Sequence, residues 1–385
     1  MEVGELLAII ANGEDYRHQF KADITNVNSL ASEMVAFGNS SGGMILIGVN
    51  DDGSLSGLDD EDIRRINQNI ANAASTIVRP AINPITQNFT LPEGKVLLLT
   101  VEEGLNKPYM DSNGYIWVKS GSDKRRVTAR EELQRIFQAA NLIHADETPV
   151  NGSSIDDLDV EFFDAFFEKE YGERVEDQGI SRAQLLENMN LAHNGRLNIC
   201  GMLLFSSKSY VRLPVFIVKA VAFPGVDIED ETYIDSQDIT GKLSDVYRYT
   251  LSFVLRNIRH VQKEQGFNSL GEPEIPRIAL EELIANALIH RDYFISAPVR
   301  VLIFADRVEI ISPGHLPNNL TIENIKMGNS NVRNPILASF ATKMLPYRGL
   351  GSGIRRALKA YPQIDLIDDR FQNQFKVVIH RQTLD

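Results

Sequence analysis

Residues 281 to 293 read Glu-Glu-Leu-Ile-Ala-Asn-Ala-Leu-Ile-His-Arg-Asp-Tyr and set Glu282, Asn286 and His290 four apart. Positions four apart lie above one another on a helix, so the three polar side chains share one edge. Ile278, Leu283, Ile284, Ala287 and Leu288 then supply an apolar face. A carboxylate that takes a water proton, beside an amide oxygen that ligates a hard cation, suits the binding or hydrolysis of a magnesium nucleotide. A half-exposed helix with a polar rim accounts for the same spacing. Further along, Arg-Gly-Leu-Gly-Ser-Gly-Ile-Arg-Arg runs Gly349, Gly351 and Gly353 into a helical-looking segment, Ile354 to Tyr361. Alternating glycines before a helix bare its first N–H groups and admit a phosphate, though a flexible turn would use them too.

A second chemistry-bearing stretch lies between Lys107 and Arg135. Lys107, Lys119, Lys124, Arg125, Arg126, Arg130 and Arg135 stand against Asp111, Asp123, Glu131 and Glu132, a local excess of three positive charges. Tyr115 and Trp117 alternate beside them and offer a stacking surface for bases. A solvated helix start, with Thr128 and Glu131 as a capping box, is the other reading. The local excess matters because the whole chain carries a net charge of −13 and so has no general affinity for phosphate backbones.

The elements that must position these residues fall into three regions. Residues 1–145 alternate helices (Val27 to Gly38, Asp60 to Ala74) with strands (Met44 to Val49, Lys95 to Val101, Tyr115 to Lys119), and Asn50-Asp-Asp-Gly53 reads as a hairpin turn. A polar stretch, Ala145 to Asp157, reads as a linker. Residues 158–240 hold a helix carrying Phe162, Phe163, Phe166 and Phe167, whose spacing marks core, followed by strands at Met202 to Phe205 and Val215 to Phe223. Residues 241–385 open on a long helix through Val246, Phe253 and Ile258 and end on a strand at Phe375 to Ile379. After Tyr361 no helix remains to read a groove. At 385 residues and 43% hydrophobic content the chain can bury two or three cores. No apolar run approaches the roughly 20 residues a membrane helix needs, and the start lacks a signal-peptide pattern, so a cytoplasmic location is expected, with no membrane partner. The single cysteine, Cys200, reads as a buried hydrophobe.

Two resemblances follow from these residues. Glu282-x-x-x-Asn286-Ala287 resembles the N-box of GHKL ATPases, and the similarity runs on through Val308 to Pro317, Arg333-Asn-Pro335 and Gly349 to Gly353, in a branch of RecG-like C-terminal domains found in transcriptional regulators. It implies Glu282 as general base, Asn286 as magnesium ligand, and His290, Asp292, Gly314, Gly349, Gly351 and Gly353 around ATP. Where that family places an adenine-reading aspartate, this chain has Ser312-Pro313-Gly314. Gly13 to Lys21, Ala36 to Gly53, Lys107-Pro-Tyr and Tyr115 to Ser122 resemble a Schlafen AlbA-type domain. Its RNA-cutting members use clustered carboxylates that recruit divalent metal. The matching positions here are Glu14, Gln19 and Asp51 or Asp52; a glutamine replaces one acid, and Asn-Asp-Asp-Gly is also a good tight turn.

The expected class is α+β / α/β: a mixed α/β Schlafen AlbA-like domain, a connecting α/β region and a GHKL-like (Bergerat) α/β sandwich. The expected function is a nucleic-acid-binding transcriptional regulator, DNA before RNA, forming a homo-oligomer, with a degenerate or divergent nucleotide-binding C-terminal domain and with Lys119, Lys124, Arg125, Arg126 and Arg130 as contacts. A magnesium-dependent ATPase, or a nuclease through Glu14, Asp51 and Asp52, is the alternative.

Overall fold

A computed structural model describes residues 1–140, 142–228, 232–262, 271–317 and 320–381. The chain forms two compact units, Met1–Ile143 and His144–Asp385.

In the first unit a four-stranded sheet runs in the order His18–Lys21, Gly43–Ile47, Gly94–Val101, Ile85–Leu91. The first pair is parallel and the others antiparallel. Because side chains alternate across a strand, Ile45, Ile47, Leu97 and Leu99 pack beneath the helices Val27–Asn39 and Asp60–Asn72, while Leu46, Val96 and Leu98 meet Leu6 and Ile10 of the helix Val3–Asn12. Asn26 caps the second helix through Asn28 and Ser29, and Asp59 caps the third through Glu61 and Asp62. The Asn50–Gly53 segment turns as its composition asks, but the strand before it pairs with Gly94–Val101 and not with a hairpin partner; only the Val49–Leu55 bridge follows.

The second unit is built on a six-stranded sheet ordered Asp235–Ile239, Val218–Ala222, Val299–Ile303, Arg307–Pro313, Gln374–His380, Ile364–Asp369. Only Val218–Ala222 and Val299–Ile303 are parallel. Val218, Ala220, Val301, Ile303, Val308, Ile310, Val377 and Ile379 join one core with the helices Leu243–Asn257 and Arg277–Ile289. Three expectations fail here. The connecting region at 158–240 is no separate body, since two of its strands belong to this sheet and its phenylalanines to this core. Met202 to Phe205 is helical, within Ile199–Phe205: a short apolar run does not distinguish helix from strand, and Asn198 caps this one through Gly201. Nor is Ala145 to Asp157 a solvated linker. Ala145 and Asp146 are fully buried, and the Asp146 carboxylate accepts the Leu337 N–H at 2.9 Å, satisfying a first-turn donor of the helix Pro335–Met344. Cys200 is buried, which pushes its thiol well up. Among the described residues no helix is long and apolar enough to cross a membrane.

Candidate functional site in the second unit

The helix Arg277–Ile289 lies against the strand Arg307–Pro313 and the short helix Gly353–Ala360. Its apolar residues are buried almost all round, Leu283 and Ile284 included, whereas Ile278 is 46% exposed. The helix is therefore a core element, and its polar edge opens on an internal space. That space is a cavity of about 120 Å³ lined by Glu282, Asn286 and His290 on one side and by Gly349, Gly351 and Gly353 on another. Leu283, Ala287, Ile310, Leu320, Phe375 and Val377 supply apolar lining.

Glu282 is 5% exposed, and its Oε1 sits 2.5 Å from Nη2 of Arg356, on the helix that follows the glycines. Burial pushes the carboxyl above the usual glutamate range, against Arg356 and Arg348, which pull it down. The Asn286 amide donates from Nδ2 to the Glu282 carbonyl at 2.7 Å, which leaves its oxygen as the end available to a cation. Gly353 is wedged against both: a β-carbon there would stand 2.5 Å from Glu282 Oε2 and 3.1 Å from Asn286 Nδ2. Gly351 has φ +67° and packs on the Gly328 carbonyl, a left-handed position with no room for a side chain. Among the described residues four charged ones line the cavity: Glu282, and against it Arg333, Arg348 and Arg356. The excess of two positive charges favours an anion.

The remaining expected residues divide. His290 lines the cavity but bonds Tyr347 Oη at 3.0 Å; burial, with Arg333 nearby, lowers it to about 4, so it is neutral at pH 7. Asp292 does not line the cavity. Its Oδ1 accepts the Phe294 N–H and its Oδ2 lies 4.0 Å from Arg333, closing the turn after the helix. Arg291 is buried among carbonyls, donating to Ile295 and Ala297, with the rings of Phe216 and Tyr293 on its faces. Gly314 lines the cavity at φ +96°. Ser312 lies on its wall and donates its hydroxyl to the Ala287 carbonyl at 2.9 Å, so its oxygen keeps lone pairs for an acceptor role. Arg356, Arg348 and Tyr347 were missed from sequence. Arg356 and Glu282 are far apart in the chain, and no local period links them.

The polar residues of the first unit meet one another instead. Glu14 Oε1 accepts the Phe20 N–H at 2.6 Å and the Gln19 amide at 3.1 Å, and Gln19 Oε1 accepts Lys119 Nζ at 2.9 Å. Lys119 is buried, also donates to the Ser122 carbonyl and sits over the Phe37 ring; burial lowers its pKa. It is not a surface contact, contrary to expectation. Asp52 accepts from Ser54 N–H and Oγ, the turn role, and among the described residues no group of three or more His, Cys, Asp or Glu could hold a metal ion. Glu14 is thus not gathered with Asp51 and Asp52. The ribbon Trp117–Ser120/Asp123–Arg126 sets Trp117 opposite Arg126 and Lys119 opposite Lys124, with Arg125 opposite Val118 on the other face. Lys124 pairs with buried Glu33 at 2.7 Å, Arg125 is held by both Glu132 oxygens at 2.8 and 2.6 Å, and Arg126 lies 3.3 Å over the Tyr115 ring. The Trp117 indole donates to Asp111 at 2.8 Å. Arg125, Arg126 and Arg130 are exposed.

Residues 14–128 match the family described as "Schlafen, AlbA_2", and residues 296–379 match "Putative ATP-dependent DNA helicase recG C-terminal". The chain therefore carries, in this order, a stretch similar to Schlafen AlbA_2 domains and a stretch similar to RecG C-terminal domains. The second match begins beyond Glu282 and Asn286, so their place in the site rests on the cavity itself. No curated protein matches the chain. Among solved structures, the DIP2311 protein of Corynebacterium diphtheriae is 21% identical, covering 98% of this chain and 80% of that one, with a TM-score of 0.47. The N-terminal domain of a RecG-related protein from Nitrosomonas europaea is 23% identical, covering 33% of this chain and 92% of that one, with a TM-score of 0.22.

Proposed function

We propose that this protein is a nucleic-acid-binding transcriptional regulator, DNA before RNA, whose second unit binds ATP with magnesium in the cavity between Asn286 and Gly351. The observation that carries this reading is the joint lining of that cavity: a carboxylate and an amide oxygen on one helix, three arginines, a glycine loop and several apolar side chains. A nucleotide has the matching parts, a flat base and a polyanion. Ser312, whose hydroxyl hydrogen is already spent on Ala287, is a neutral acceptor for an exocyclic amine in place of a carboxylate. Asn286 would hold the magnesium, which supplies charge neutralisation at the phosphates; Glu282 would be the base. The matched family's description names a DNA helicase, and the exposed Arg126 and Arg130 supply phosphate contacts in the first unit. Assembly into a homo-oligomer belongs to this reading and is read by light scattering. Hydrolysis is a second reading, favoured by the burial that raises Glu282. The test is a thermal melt with ATP and Mg²⁺: binding to the folded state raises Tm by mass action, and a flat Tm at millimolar nucleotide overturns the reading.

A further inference from the structure

Arg356 has an arrangement that neither packing nor the nucleotide reading requires. Its Nη2 is 2.5 Å from the Glu282 carboxylate, while its Nε–H is buried and, among the described residues, meets no acceptor. A buried donor without a partner costs free energy that a better-placed acceptor would recover. The same side chain lines the cavity together with Gly349, Gly351 and Gly353. Arg356 is thus half-satisfied by Glu282 and lines the space where an anion would lie.

We propose that Arg356 is a phosphate-responsive latch: it clamps Glu282 until a polyphosphate ligand draws it away, satisfying Nε and releasing the carboxylate. The proposal rests on the nucleotide reading and adds to it a competition between Glu282 and phosphate for one guanidinium. The groups facing Glu282 are Arg356 and Arg348, with Glu281, Tyr247 and Tyr347 acting on it or around it. Of these only Arg356 contacts the carboxylate directly. Arg356 acts as a binding residue for the ligand and a positioning residue for Glu282.

The competition has a signature that a structural role does not. Calorimetric titration of the full chain in EDTA, with inorganic triphosphate and separately with adenosine, reads it without turnover. Arg356→Gln should weaken triphosphate binding about tenfold or more, the worth of a charge-assisted hydrogen bond, and leave adenosine unchanged. Glu282→Gln should tighten triphosphate binding severalfold by freeing Arg356. The double variant should match Arg356→Gln alone, because the gain passes through the guanidinium. Arg356→Lys should restore part of the affinity. If Glu282→Gln tightens binding equally in the Arg356→Gln background, the effect is general repulsion and the latch is overturned. Unchanged triphosphate affinity in Arg356→Gln overturns it as well, and adenosine binding then shows the cavity reading intact. Absence of both ligands from the wild-type chain removes reading and latch together.

Discussion

The two units bury similar polar groups to opposite effect. In the first, Glu14, Gln19 and Lys119 form a closed chain, each meeting the next at hydrogen-bond distance, with Lys119 further held by a carbonyl and a ring. In the second, Glu282, Asn286 and Arg356 border open space, and one donor of Arg356 is left over. A satisfied buried network specifies a structure, whereas an unsatisfied one beside a cavity is incomplete until something enters it. Residue types alone do not separate these cases, since both sets are acids, amides and cations.

The sharpest way to break the contrast is to fill the open site. Gly353→Val should abolish nucleotide binding, lowering affinity by at least about a hundredfold, because its side chain would occupy the space against Glu282 and Asn286. Overpacking of this kind costs about 1–3 kcal/mol in stability, so circular dichroism should still show a folded chain. Nucleotide-dependent stabilisation retained in that variant would show that the ligand lies elsewhere.

A pH series probes the same wall. His290 has its folded pKa lowered to about 4 by burial, below its unfolded value, so the unfolded chain takes up a proton first as pH falls. The stability contributed by the neutral ring is complete above the unfolded pKa and is lost as pH falls from roughly 6.5 to 4. Between pH 7 and 5 the loss should be about 2 kcal/mol, measured by urea denaturation, and should vanish in His290→Gln. Asn286→Ala should then separate metal from nucleotide: the gain in ATP affinity on adding Mg²⁺ should fall by about 1–2 kcal/mol while metal-free affinity holds. Equal losses with and without metal would make Asn286 an ordinary contact.

Much of the second unit was legible because Glu282, Asn286 and the glycines carry their pattern locally: a helix period and a run of small residues before a helix. The same reading placed Asp292 in the site, yet it closes a turn through Phe294, since a conspicuous residue on a helix end points where the backbone leaves it. Arg356 was invisible because its partner is distant in sequence. Met202 to Phe205 was misread because a buried run of that length satisfies either period, and the deciding contact, Asn198 to Gly201, is a cap that precedes it. In the first unit the strand Gly43–Ile47 was legible as an apolar run ending at a turn, with a helix on either side, but the arrangement of the basic cluster was not. Charge was countable, whereas its division between two faces of a ribbon follows only from register.

That division yields the smallest effect, and it decides what the first unit contributes. Summed charge would make Arg125 and Arg126 equivalent. The register does not: Arg126 shares a face with Trp117 and rests on Tyr115, whereas Arg125 lies opposite Val118 and is held bidentately by Glu132. An arginine already neutralised by a carboxylate releases no counterion on meeting a phosphate. Arg126→Ala should therefore weaken retention on duplex DNA by about 1 kcal/mol and reduce the salt slope by about one, uniformly across sequences. Arg125→Ala should change neither beyond a few tenths of a kcal/mol, the scale of an exposed pair. Lys119→Met should leave the salt slope untouched, because its charge is buried against Gln19. If Arg125 and Arg126 prove interchangeable, the ribbon acts as diffuse charge and its pairing is irrelevant to binding; if only Arg126 matters, the exposed guanidinium resting on Tyr115 is the one that meets the nucleic acid.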